Sequence, residues 1–347
     1  MKILKKLLSL IIISILLVHS IKTAVYASPN ISTQNPVKVG VFLNNFNDPF
    51  ISDVRKSLEN IQKENENEIQ FTFFDSKSNQ AIQEENISKA LNKNFDLFVL
   101  NLMSAKISDI ESTLNKIIRK NIPLIIHIAP NTELANFVNS YSKAIIIGSD
   151  ETQSGTLQGK ILVDTWNANK GTIDKNKDNI MQYVMLTGPI NSESAILRTK
   201  YSIKTINDAG IQTQQLSSTT CNWSKECARI TIESKILGLY DKIEAIIANN
   251  DAMAIGAIEA LQKYGFNKGD SSKYIPVVGV DALSEAKELI RQGVMTGTVV
   301  QDPRALADAI YATGMNMVSG APPLSGTNYK FDETGTTVKL PYYKYVK

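Results

Sequence analysis

Short apolar runs alternate along the chain with longer segments in which apolar residues recur every three to four positions. Val37–Leu43, Ile69–Phe74, Leu97–Asn101 and Pro123–Ile128 have the length and composition of buried strands, and Pro49–Lys63, Ala81–Lys93 and Ala105–Lys120 carry helical periodicity between them. A polar break follows. The rhythm resumes with strands at Met181–Leu186, Thr213–Gln215, Ala245–Ala248, Val277–Val280 and Gly297–Val300, again with helices between. The alternation predicts an α/β protein of two similar halves, each a parallel sheet covered by helices on both faces.

Ligands in such sheets sit beyond the carboxyl ends of the strands, and in two-domain proteins between the domains. The stretch Ile243–Leu261 (IEAIIANNDAMAIGAIEAL) shows the pattern: a strand, the polar tip Asn249–Asn250–Asp251, then a helix, with Asp251 where the N-cap is expected. Other strand ends carry similar chemistry. Asn44, Asn45, Asp48 and Phe50 follow the first strand and Asn101 ends the third. Ser192, Ser194 and Arg198 follow Leu186, Cys221, Asn222 and Trp223 follow the next strand, Asp281 follows Val280, and Gln301 and Asp302 follow Val300. Each residue alone reads as a turn or cap. Together they supply short amides and carboxylates for a rim of hydroxyls and two aromatic faces for a ring, which is what a pyranose presents.

Composition narrows the classes further. The chain has 347 residues, room for two sizeable cores. Its net charge of +3 becomes −1 once Lys2, Lys5, Lys6 and Lys22 of the first segment are set aside, so nothing points to nucleic acid. That segment reads as a signal peptide or N-terminal anchor over residues 1–27: basic Met1–Lys6, apolar Leu7–Val18, and small residues at Val25–Tyr26–Ala27. It holds no cysteine for lipid attachment, and Ser28–Pro36 reads as a polar linker. The location expected is extracytoplasmic: secreted, periplasmic or tethered to the outer face of the membrane.

VRKSLE at Val54–Glu59, ANNDAMAIGAIEAL at Ala248–Leu261, VGVDAL at Val278–Leu283 and DKNKDNIMQ at Asp174–Gln182 carry a resemblance over nearly the whole mature chain. The sequence resembles the periplasmic galactose/glucose-binding proteins, the soluble receptors of sugar ABC importers. The resemblance implies two Rossmann-like lobes joined by a three-segment hinge, with approximate lobes at 37–142 plus 285–325 and 143–284 plus 326–347. It implies that Asp48 accepts from a sugar hydroxyl, Phe50 and Trp223 stack on opposite faces, Asn101 stands beside Asp48, Arg198 donates to ring oxygens, and Asn250 and Asp281 hold adjacent hydroxyls. Four positions depart from the family pattern. Ser192 and Ser194 stand for a histidine and an aspartate, Asn44 for a tyrosine, and Gln301 for an asparagine. Losing one charge-assisted hydrogen bond costs about 1.5–3 kcal/mol, which leaves weaker galactose binding or another hexose or pentose open.

Asp174, Asn176 and Asp178 supply oxygens at alternate positions, as in the first half of an EF-hand loop, with the carbonyl of Ile180 and the amide of Gln182 following. Asn179 takes the place of the usual glycine and tolerates the left-handed turn. No closing acid follows nearby; by resemblance it is Glu244, completing a hard-oxygen set for a structural Ca²⁺. Cys221 and Cys227 bracket CNWSKEC, a candidate disulfide outside the cytoplasm, unless direct entry into a helix holds the sulfurs apart.

Enzyme chemistry has little support. Asp48 and Asp281 could pair as in a glycosidase, but no acid of raised pKa or route for water is legible. His19 lies in the signal segment, and His127 in an apolar strand, where a buried structural histidine is expected. The expectation is a non-enzymatic monomer that binds one monosaccharide and delivers it to an ABC permease. The alternative is a sugar-sensing partner of a membrane receptor or kinase.

Overall fold

The computed structural model describes residues 35–347; the expected signal segment and most of the linker lie outside them. Twelve strands form two six-stranded sheets. The first has the order β2 (Ile69–Asp75), β1 (Val37–Leu43), β3 (Leu97–Asn101), β4 (Leu124–His127), β5 (Ala144–Ser149) and β11 (Thr337–Leu340), all parallel. The second runs β7 (Gln212–Thr220), β6 (Ile180–Thr187), β8 (Ala245–Ala248), β9 (Val277–Asp281), β10 (Gly297–Val300) and β12 (Tyr343–Val346), parallel except for β12. Each order reverses once, between β1 and β3 and between β6 and β8, which are the switch points where doubly wound sheets bind ligands.

Strand alternation feeds two cores per sheet. Val39, Val41 and Leu43 of β1 pack beneath α1 (Pro49–Glu64) and α10 (Pro303–Ser319), while Phe42 faces α2 (Gln80–Ala90), α3 (Ile107–Arg119) and α4 (Thr132–Asn139). The second sheet is covered on one face by α5 (Glu151–Ile173) and α6 (Glu193–Asp208). The other face carries α7 (Lys225–Leu239), α8 (Asp251–Lys263) and α9 (Ser284–Arg291). Among the described residues no helix is long and apolar enough to cross a membrane.

The structure corrects the sequence reading at several elements, β5, α5 and β7 among them. The run Ala144–Ser149 forms β5, and α5 occupies the polar break. The edge strand β7 extends to Thr220 because its outer positions need no apolar side chains. The lobes also divide differently from 37–142 plus 285–325 and 143–284 plus 326–347. β5 and β11 pair within the first sheet and β10 within the second, so the chain passes between sheets after Ser149, after Val300 and after Leu340.

Candidate ligand-binding site

Asp48 caps α1, accepting from the Ile51 N–H at 3.0 Å, which fixes its carboxylate at the end of the first strand. Burial pushes its pKa up, against the N–H groups of Ile51 and Phe50 and the charge of Arg198. Phe50 roots in the core beneath α1. Asn101 ends β3; its Oδ1 accepts from the Asn44 N–H at 3.1 Å and its Nδ2 donates to the His127 carbonyl at 3.3 Å. His127 ends β4 with Nδ1 2.9 Å from the Ile147 carbonyl oxygen, and burial pulls its pKa down, leaving a neutral imidazole in the wall.

In the second lobe, Ser192 caps α6, and Ser194 donates to Glu151 Oε1 at 3.2 Å. Asn250, rather than Asp251, caps α8: its Oδ1 accepts from the Met253 N–H at 3.0 Å. Asp251 instead turns inward, where Oδ2 accepts from the Leu283 N–H at 2.9 Å and Oδ1 from the Thr298 hydroxyl at 2.6 Å, under Gly279, which has no room for a Cβ. Asn222 and Trp223 both take left-handed conformations (φ 51° and 68°), and the indole lies against Gly188. Cys221 and Cys227 are disulfide-bonded around this turn, with Cα atoms 5.3 Å apart. Spacing is no obstacle, because Cys221 precedes the turn and only Cys227 lies in α7. Asp281, 7% exposed, also has positive φ (121°), an uncommon backbone for a residue other than glycine.

Arg198 is 4% exposed. Nε donates to Glu151 at 2.7 Å, Nη1 to the Asn249 carbonyl at 2.9 Å, and Nη2 to Gln301 Oε1 at 3.1 Å and to the Tyr342 hydroxyl at 3.0 Å. Four of its five N–H groups are thus engaged by the protein, and the free one, on Nη1, is on the nitrogen 4.0 Å from Asp281. Burial works against the charge, but Glu151, Tyr342 and Asp281 outweigh it and the guanidinium stays protonated. Burial drives the Asp281 carboxyl well above the usual range; Arg198 opposes this, and Asp251, Asp48 and Glu151 add to it.

These groups line one cavity of about 730 Å³, inside the roughly 300–1,000 Å³ usual for small-molecule sites. All ten residues expected to meet the ligand border it: Asp48, Phe50, Asn101, Ser192, Ser194, Arg198, Trp223, Asn250, Asp281 and Gln301. Glu151 borders it too and was missed, although the run AIIIGSDE carries the same strand-end signal as the others. Tyr342 lies behind the wall and gave no signal.

The oxygen-rich loop folds away from the cavity. Asp174, Gln182 and Glu244 are all at most 5% exposed. Glu244 accepts from the N–H groups of Lys175 and Gln182, and Asp178 accepts from the side-chain amides of Asn176 and Gln182. Asn179 is left-handed (φ 64°), as its place in the loop predicts. Burial and the charges of Asp174 and Asp178 raise the Glu244 pKa, against its two backbone donors. Among the described residues no three acidic, histidine or cysteine side chains close into a tight cluster. Yet Asp174 Oδ1 and Gln182 Oε1 are buried without a hydrogen-bond partner, so the donor set fits an oxygen-seeking cation.

Two doubly wound lobes joined by three crossings around one polar cavity with two aromatics define a two-lobed solute-binding protein. The chain belongs to the periplasmic binding protein domain family, which it matches over residues 39–322, and whose members are extracytoplasmic, non-enzymatic substrate-binding components of transporters. It is 32% identical over 317 residues to the D-galactose/methyl-galactoside binding periplasmic protein MglB of Haemophilus influenzae, covering 91% of each chain. A Bacillus halodurans ABC transporter solute-binding protein with bound myo-inositol superposes with TM-score 0.72 at 21% identity, covering 91% of this chain and 96% of that one. One from Actinobacillus succinogenes with bound D-allose gives TM-score 0.73 at 18% identity, covering 90% and 98%.

Proposed function

We propose that the protein binds one monosaccharide between its lobes, galactose or glucose first among candidates, and delivers it to an ABC permease. The observation that carries this reading is Phe50 and Trp223 bordering one cavity together with Asp48, Asn101, Asn250 and Asp281. Aromatic faces take the weakly apolar C–H surfaces of a sugar ring, and carboxylates and amides take its hydroxyls. Because those groups come from both lobes, the full set of contacts exists only when the lobes hold the ligand together, and binding shifts the protein toward that state. The similarity to MglB supports galactose.

Ser192 and Ser194 favour a second ligand class. Short hydroxyls leave space where a longer side chain would narrow the cavity, and Ser194 already spends its hydrogen on Glu151. The structural neighbours that hold myo-inositol and D-allose extend the candidates to other hexoses and cyclic polyols. A thermal-shift panel of hexoses, pentoses and inositols, followed by calorimetry, decides. Stabilisation by galactose or glucose with micromolar or tighter Kd supports the first reading. Stabilisation by another polyol alone moves the ligand assignment, and a flat panel overturns sugar binding.

Asp174, Asn176, Asp178, Gln182, Glu244 and the Ile180 carbonyl would hold a structural Ca²⁺, whose charge would offset three carboxylates gathered at the loop. These residues orient one another through the Asp178 and Glu244 hydrogen bonds, so the loop is largely organised before any cation arrives.

A further inference from the structure

Each of the three passages between the sheets places one side chain on Arg198. Glu151, after the first passage, accepts from Nε; Gln301, after the second, and Tyr342, in the third, both accept from Nη2. The Tyr342 hydroxyl in turn donates to Glu151 Oε1 at 3.0 Å, and the Tyr342 N–H donates to Gln153 Oε1 at 2.9 Å, tying the first and third passages together twice. Tyr342 is 2% exposed and is absent from the cavity wall.

We propose that Tyr342 is a positioning residue for ligand binding: through its hydroxyl it holds the Arg198 guanidinium to the first and third hinge passages, beside the bond Gln301 makes from the second, so ligand contact at Arg198 and lobe rotation are coupled. This rests on the reading of the cavity as the ligand site. A guanidinium has a planar fork of donors, and partners on three separate segments fix that plane only while the segments keep their relative places. Rotating the lobes moves the segments and re-aims the fork, and by reciprocity a ligand that prefers one aim of the fork favours one arrangement of the hinge. Tyr342→Phe removes one oxygen and keeps the ring that fills the core beside Trp166 and Ile161.

The test is affinity, by calorimetry with the sugar giving the largest thermal shift, of Tyr342→Phe in the parent and in an Arg198→Lys background. Hydrogen exchange of the ligand-free proteins over residues 149–153, 300–304 and 340–344 accompanies it. The expected result is a five- to twentyfold weaker Kd for Tyr342→Phe in the parent, less than twofold in the Arg198→Lys background, and faster exchange at all three passages. A Kd within twofold of the parent, or an equal loss in both backgrounds, overturns the proposal. If no sugar in the panel binds the parent, sugar binding is what has failed; exchange then decides, and unchanged rates at the passages overturn the coupling.

Discussion

An added Cβ on Gly188 would fall inside the van der Waals envelope of the Trp223 indole, so the ring keeps its place only because that position has no side chain. Trp223 reaches that place through two successive left-handed residues, a conformation costing of order 1–3 kcal/mol per residue and held here by the Cys221–Cys227 bridge. Gly188→Ala should therefore displace the indole, lower sugar affinity at least tenfold, about 1.4 kcal/mol, and reduce the melting temperature by only a few degrees. Unchanged affinity in calorimetry would show that the indole face is not part of the binding surface. Individual site residues were legible because strand-end position and residue chemistry coincide: Asn101 and Asp281 close apolar runs, and Asp48 and Asn250 stand in the polar turns that follow them. Arg198 shows what a single sequence leaves out. Its residue type and place were readable, but its engagement by Glu151, Gln301 and Tyr342, from 47 to 144 positions away, exists only after folding.

Among elements, the loop from Asp174 to Gln182 was the most legible, because its alternating oxygens and left-handed Asn179 are local properties. Strands inside the sheets other than β5 were read to within a residue or two, since burial on both faces forces apolar runs; Ala144–Ser149 is as apolar and was passed over. Strands β11 and β12 were not, because Thr337–Leu340 and Tyr343–Val346 are short, polar in part and defined by pairing with distant partners. A cation held at the oxygen-rich loop would bind the folded chain and not the unfolded one. At a hundredfold excess over Kd this adds about 2.7 kcal/mol, roughly 5 °C for a chain of this size. Chelator should lower the melting temperature by that order, calcium should restore it, and Asp178→Ala should abolish the difference. A parent protein indifferent to chelator and to added calcium would remove the cation from the description.

For the molecule as a whole, the carboxyls around Arg198 set how stability responds to pH. Burial pushes Asp251 up to about 7, against hydrogen bonds from Thr298, Leu283 and Ala282 and the charge of Arg198, and Asp281 and Asp48 shift in the same direction. In the unfolded chain such groups ionise near 4, so between the two values the folded protein holds more protons than the unfolded one. Stability from this source is complete below about pH 4 and is lost as pH rises through about 7, by an amount of order a few kcal/mol for Asp251. His127 works the other way: its burial-lowered pKa makes acid destabilising, so stability rises as pH climbs to about 6.5. The parent curve mixes both trends, and a difference measurement separates them. Asp251→Asn can keep the bond from the Leu283 N–H through its oxygen and donate to the Thr298 hydroxyl through its nitrogen, while removing the titration. The melting temperature of Asp251→Asn relative to the parent, both ligand-free, should rise from pH 5 to about pH 7 and level off above it. A difference that stays constant over that range, or falls, would mean that Asp251 is ionised throughout and that Arg198 and Thr298 offset its burial after all.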